Sequence, residues 1–335
     1  MTTGRLAAVF GCSGPELTPD EAAFFRDADP FGFILFARNV ADPVQLRRLT
    51  AALRDAVGRD APVLIDQEGG RVQRLRAPHW RDWAPPLDTV AGARDPLRAM
   101  WVRSRIIAHE LRGVGVDANC APCADVAGDD THPFLKNRCY GTDPAVVSEI
   151  SAAVAEAHLA GGVLPVIKHL PGHGRATADT HHDLPTVTAS RAELTATDFA
   201  PFKALNHLPM AMTAHIIFAA YDDQPATQSA TMIRVIRDEI GFQGLLMTDD
   251  LNMQALRGTL ADRTAASMAA GCDIALHCKG DMAEMLEVAG ACGDQSAAIR
   301  ARAARALAAR HAPDPVDILA LEAEFRGLMS GDAHG

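Results

Sequence analysis

Eight short apolar runs, each followed by a longer stretch of helical character, constrain this chain more than any other feature of its sequence. The runs are Leu6–Phe10, Gly32–Phe36, Val63–Asp66, Ala118–Pro122, Leu164–Lys168, Met210–Thr213, Gly244–Thr248 and Ile274–Leu276. Most are continuously hydrophobic rather than alternating, which is the pattern of parallel strands covered on both faces. Helix-start signals lie between them. Thr18-Pro19, Asp42-Pro43, Asp95-Pro96 and Asp143-Pro144 each set an oxygen-bearing cap before a proline. The cap accepts a free backbone N–H, and proline is tolerated in the first turn because its missing donor has no partner there. Ser190 with Glu193 predicts a capping box at another start. Gly58, Gly113, Gly241 and Gly271 stand where helices should stop, in the left-handed position that glycine accepts cheaply.

Eight strand–helix units with no break in composition predict an α/β fold, a single (β/α)8 TIM-type barrel. Residues 1–335 are expected to form one catalytic domain. Its last part, 294–335, is Ala-, Arg- and Glu-rich and is expected to supply peripheral C-terminal helices and a tail packed outside the barrel. An open doubly wound sheet would carry a glycine-rich phosphate loop after its first strand. Phe10-Gly11-Cys12-Ser13-Gly14 is a poor match to that pattern. A barrel gathers the residues ending its strands at one mouth. Here those are Asp66, Lys168, His169, Thr213, His215, Asp249 and Asp250, mostly ionisable and unsuited to filling a core.

Charge and cysteine usage narrow the partners. The net charge is −10 and no block of Lys or Arg stands out, which argues against nucleic acid. No run is long enough to span a bilayer, so no membrane partner is expected. Met1–Phe10 is too short and too weakly apolar for a secretory signal. The seven cysteines are an odd number without a disulfide framework, and a cytoplasmic location is expected. Cys120 and Cys123 form the one C-x-x-C spacing. With no second pair to complete a zinc site, they read as small residues flanking a strand end.

Three stretches carry chemistry. The richest is Lys168-His169-Leu170-Pro171-Gly172-His173-Gly174, followed by Asp179-Thr180-His181-His182-Asp183. It suits either a metal site or an acid/base loop in which Asp179 orients His181 two residues on. A plainer reading has His169 and His173 bonded to backbone in a tight turn. The metal reading is weakened because Pro171, Gly172 and Gly174 preclude the helix that an H-x-x-x-H spacing would need. The second stretch ends a strand in adjacent carboxylates. Asp250 suits a helix cap, leaving Asp249 to face the mouth as a nucleophile. The third is Asp66–Arg74, where paired glycines permit a sharp turn or a close approach of backbone to ligand. Its carboxylates and arginines form either a clamp for hydroxyls or a salt-bridged surface turn. Trp80 and Trp83 follow, placed either to wall a site or to pack on a helix.

Together these motifs resemble glycoside hydrolase family 3, and within it the single-domain bacterial β-N-acetylglucosaminidases of NagZ type. The matching segments are Asp66–Arg74 (DQEGGRVQR), Asn137–Gly141 (NRCYG), Lys168–Gly174 (KHLPGHG), Asp179–His181 (DTH) and Gly241–Met253 (GFQGLLMTDDLNM). They stand in the family's order and approximate spacing. Leu170 replaces the usual phenylalanine and Thr180 the usual serine, neither in a chemical role. The resemblance implies a barrel without metal or cofactor that removes terminal β-linked N-acetylglucosamine by double displacement. It places the nucleophile on Asp249 and the acid/base on His181, with Asp179 as its partner. It assigns sugar binding to Asp66, Arg74, Arg138, Lys168 and His169. A retaining glycosidase needs a carboxylate nucleophile and a proton donor close across the bond. A histidine serves as that donor if Asp179 raises its pKa toward working pH. A Gly-bounded loop implies an acid that swings in once substrate binds. The expected substrate is a cell-wall fragment, N-acetylglucosamine joined to 1,6-anhydro-N-acetylmuramic acid with or without peptide, met by a monomer in muropeptide recycling.

Overall fold

Eight parallel strands close into a barrel in a computed structural model that describes residues 2–176 and 184–330. They are β1 (Leu6–Phe10), β2 (Pro30–Leu35), β3 (Val63–Ile65), β4 (Ala118–Asn119), β5 (Leu164–Leu170), β6 (Met210–Thr213), β7 (Leu245–Asp250) and β8 (Ile274–His277). Each pairs with the next in the chain, and β8 returns to β1 through Ala8 opposite Ala275. All eight expected runs are strands. The bounds differ where function begins: β5 extends past Lys168 through His169 and Leu170, and β7 past Thr248 through Asp249 and Asp250, so His169, Asp249 and Asp250 stand on sheet rather than on loops.

The continuous hydrophobicity of the runs follows from two buried faces. Val9, Ile34, Leu64, Val166, Met210, Met247 and Leu276 fill the interior in a cluster completed by Ala303, Ala306 and Leu307. Phe33, Leu35, Val63 and Ile65 belong instead to the layer shared with Leu46, Leu49 and Leu53 of the helix Pro43–Val57. Complete burial of each large aliphatic residue contributes about 1.5–3 kcal/mol. The helix Ala297–Ala308 thus lies outside the wall and closes the end of the barrel opposite the mouth. Arg302 binds Asp273, and Arg310 binds Asp117 and Asp60, acidic residues that precede strands.

Caps formed as expected. Thr18, Asp42, Asp95 and Asp143 each accept a first-turn N–H ahead of a proline, and Ser190 and Glu193 bond reciprocally. Gly271 ends its helix at φ 115°, in the left-handed region. Gly113 does not: its φ is −59° because the helix tightens through one more turn, Val114 and Gly115 bonding back to Leu111 and Arg112. The helix Ile318–Met329 packs on Pro96–Arg112, with Arg98 paired to Glu324 at 2.6 Å. Trp83 is 6% exposed and meets Phe325 edge-on at 5.4 Å, so it packs on a helix. Among the described residues, no helix is long and apolar enough to cross a membrane.

Candidate active site

The mouth holds a pocket of about 330 Å³, a size suited to a small ligand. Asp66, Arg74, Arg138, Lys168, His169 and Asp249 all line it, so six of the eight expected site residues converge there. The other two, His181 and Asp179, lie outside the described residues. Ile34, Phe36, Met212, Met253, Leu276 and Cys278 supply apolar wall and floor.

One side of the pocket is a chain of alternating charges. Asp66, just past β3, accepts from Lys168 Nζ at 2.8 Å and from Arg74 at 3.0 Å. Lys168 Nζ also lies 2.5 Å from Glu68, which receives both Nε and the terminal nitrogen of Arg138, at 2.9 and 2.8 Å. Burial opposes ionisation of both carboxyls, but the neighbouring cations outweigh it. Lys168 and Arg74 hold Asp66 far below the usual range, and Arg138 and Lys168 hold Glu68 at about 2. Lys168 is pushed up in turn against its own burial by the two carboxylates. Glu68 is therefore a buried anion and not a proton donor. Reading the sequence alone did not reveal its role, which is to hold Arg138 and Lys168 in place.

The local backbone explains how Glu68 reaches that position. Gln67–Gly69 pairs with Val72–Gln73 in a small antiparallel hairpin that periodicity did not disclose. Gly69, at φ 107°, passes so close to the buried Arg103 that a Cβ there would fall 1.8 Å from the guanidinium. Arg103 donates to the Glu68 carbonyl at 2.6 Å and to the Ala84 carbonyl at 2.8 Å. Gly69 thus serves a close approach to an arginine of the protein itself, while Gly70, at φ 59°, lies against Pro85.

Across the pocket, Asp249 accepts the Asp250 N–H at 2.8 Å. Burial opposes its charge, yet His169, His215, that N–H and Lys168 together keep the carboxyl below the ordinary range. Asp250 is the opposite case: burial, aided by the Asp249 charge, raises it to about 6. It caps no helix. Its Oδ1 accepts the N–H groups of Asn252 and Cys278, both at 3.2 Å, and so ties the end of β7 to that of β8. His215 fixes the same strand end through the Asp250 carbonyl, 3.0 Å from Nε2, and the Thr227 hydroxyl, 2.8 Å from Nδ1.

A residue that sequence reasoning passed over, Asp125, organises the histidine turn. It is fully buried and bonded to His169 Nδ1 at 2.7 Å and to the His173 N–H at 2.7 Å. Burial would raise its pKa, but the two histidines hold it well below the usual range. His173 lines the pocket, is pushed down to about 4 chiefly by burial, and has a buried Nδ1 without a hydrogen-bond partner among the described residues. Arg74 Nε is a second such atom. Cys123, Asp125 and His169 each bring one donor atom within 4.8 Å of the others, the one grouping of metal-ligand type among the described residues. Its carboxylate is already taken up by N–H and S–H bonds. The arrangement suits a carboxylate nucleophile facing a hydroxyl-binding array of cations.

Comparison with known proteins supplies the family. Residues 18–309 match the N terminal domain of glycosyl hydrolase family 3. A β-hexosaminidase of Bordetella pertussis is 35% identical over 284 residues, covering 82% of this chain and 80% of the relative. One from Alkalilimnicola ehrlichii is 36% identical over 278 residues, covering 81% and 80%. Among solved structures, NagZ from Neisseria gonorrhoeae in complex with N-trifluoroacetyl-D-glucosamine superimposes with a TM-score of 0.86 at 28% identity, over 98% of this chain and 99% of that one. A family 3 β-N-acetylglucosaminidase from a Paenibacillus species gives 0.80 at 27% identity, over 98% and 63%. This chain belongs to glycosyl hydrolase family 3.

Proposed function

We propose that this enzyme is a retaining exo-β-N-acetylglucosaminidase with Asp249 as its nucleophile. The observation that carries the proposal is the pocket itself, where Asp249, half-buried and held below the ordinary carboxyl range, lines the same cavity as the array Arg74–Asp66–Lys168–Glu68–Arg138. Sugar hydroxyls bind Asp66, Arg74, Arg138, Lys168 and His169, which set the anomeric carbon against Asp249. The carboxylate attacks, the glycosidic bond breaks, and His181, assisted by Asp179, protonates the departing oxygen. Water deprotonated by His181 then releases the sugar from Asp249 with retention. The residues suited to these steps need no metal or cofactor. Met212 and Leu276, which belong to the cluster filling the barrel interior, line the pocket, and we assign the exo mode to a cavity that ends on them. The substrate we assign is a muropeptide fragment, N-acetylglucosamine on 1,6-anhydro-N-acetylmuramic acid, cleaved by a monomer in the cytoplasm during cell-wall recycling.

The test is hydrolysis of a chromogenic β-N-acetylglucosaminide in EDTA, with the first-formed anomer followed by NMR. Activity under chelation with β-N-acetylglucosamine appearing before mutarotation is expected. An α product or loss on chelation overturns the mechanism, and a sugar 1-phosphate formed in phosphate buffer overturns hydrolysis as the main reaction.

A further inference from the structure

Asp125 takes no part in the chemistry above, yet its contacts converge on the turn that carries His169. Oδ1 accepts the main-chain N–H of His173 at 2.7 Å and of His169 at 3.3 Å, while Oδ2 lies 2.7 Å from His169 Nδ1 and 3.4 Å from the Cys123 thiol. The turn is seated directly on this segment, since a Cβ on Gly174 would fall 1.8 Å from the Val126 carbonyl oxygen. An ionised carboxylate accepts hydrogen bonds and donates none, so His169 Nδ1 must carry the hydrogen. His169 lines the pocket, and with Nδ1 turned to Asp125 the opposite nitrogen, Nε2, is left as the polar atom on the pocket side. In the neutral ring Nε2 is then a lone-pair acceptor.

The rest of the array gives that acceptor a purpose. Arg74, Arg138 and Lys168 offer only donors, and Asp66 already takes Lys168 on Oδ1 and Arg74 on Oδ2, which leaves one further lone pair on each oxygen for the sugar. A sugar hydroxyl both donates and accepts, so each hydroxyl facing one of these cations needs an acceptor beside it, and His169 Nε2 supplies one in addition to Asp66.

We propose that Asp125 is a positioning residue that fixes His169 as its Nδ1–H tautomer, so that Lys168 and His169 face a substrate hydroxyl as donor and acceptor. This rests on the reading of His169 as a sugar-binding residue. Asparagine at position 125 keeps an oxygen for the two main-chain N–H groups but turns an NH2 toward Nδ1. The ring must then accept at Nδ1 and donate at Nε2, the wrong polarity for the hydroxyl. A carboxylate-to-amide change behind a catalytic-site histidine is known to act in this way, through the tautomer rather than the fold.

The test uses the full chain with 15N-labelled histidine, and His169 is assigned by the signals lost in His169→Asn. Long-range 1H–15N correlations should show Nδ1–H for neutral His169 in the wild type and Nε2–H in Asp125→Asn. The variant should keep its thermal midpoint within a few degrees and lose at least 100-fold in kcat/KM on a β-N-acetylglucosaminide. That loss should largely disappear in a His169→Asn background. An Nε2–H ring in the wild type overturns the proposal even if the variant fails to fold. So does a full 100-fold loss that persists without His169, which would make Asp125 mere scaffold. If the wild type lacks this hydrolytic activity, the proposed function fails while the tautomer result still stands.

Discussion

Replacing Glu68 by glutamine probes the charge chain with little change of shape. The side chain is 3% exposed, takes two hydrogen bonds from Arg138, and lies 2.5 Å from Lys168. Glutamine retains one acceptor but presents an NH2 to a guanidinium or an ammonium and removes a negative charge. A carboxyl held at about 2 in the fold, against an ordinary 4.5, stabilises the native state by on the order of 3 kcal/mol at neutral pH. Removing one member of a buried ion pair independently suggests about 3–5 kcal/mol. For a chain of this length 3 kcal/mol corresponds to a fall in Tm of about 4 °C. The pH dependence supplies the sign. The folded pKa lies below the unfolded one, so the stabilisation is complete above pH 4.5 and is lost as pH falls toward 2. Urea unfolding from pH 7 down to pH 3.5 should therefore show a gap between Glu68→Gln and wild type that narrows in acid. A gap below about 1 kcal/mol at pH 7, or one that acid leaves unchanged, would refute the reasoning.

Other substitutions separate roles within the pocket. Asp249→Asn should nearly abolish turnover, whereas Asp250→Asn should keep most of it. Because Asp250 is raised to about 6, its charge destabilises the fold above that pH, so Asp250→Asn should gain stability at pH 7.5 and little at pH 4; equal activity losses at both positions would favour a substrate-assisted reaction. Lys168→Ala, which strips the shared cation from Asp66 and Glu68, should raise KM and weaken inhibitor binding by about 1.5–3 kcal/mol for each lost charge-assisted bond, measured by calorimetry. His181→Ala should lose most activity on disaccharides but less in the first step with a nitrophenolate leaving group, and azide should restore turnover; absence of both a burst and a rescue removes His181 from the acid/base role. Phe325→Ala, far from the mouth, should cost about 2 kcal/mol by urea unfolding through its lost contact with Trp83 and leave kcat/KM unchanged.

How much of this was legible differs between the wall of the barrel and its mouth. The eight strands could be read because burial on both faces removes polar residues from them, and the Asp-Pro starts because each obeys a rule local to three residues. Asp66, Lys168 and Asp249 could be placed because polar residues ending apolar runs must converge once the barrel closes. Asp125 could not, since it sits among small residues with no periodic signal, and its partners His169 and His173 lie more than forty positions on. Glu68 was visible as a carboxylate, but whether its charge faced solvent, sugar or Arg138 depended on a hairpin whose turn is set by Arg103. Gly113 shows the reverse error, a local rule overtaken by one further turn of helix.

The closure of β1 onto β8 also bears on how the chain comes to exist. Ala8 pairs with Ala275, so one side of the first strand waits for a partner made about 270 residues later. At about 5–20 residues per second the ribosome leaves that side without its native neighbour for tens of seconds. Leu6–Phe10 is apolar throughout, the kind of edge that invites foreign strands. Gln295, which donates to the Thr3 and Leu6 carbonyls, can fasten the seam only after β8 has emerged. During synthesis the vulnerable surface is thus the barrel's first strand, and its shelter is the barrel's last.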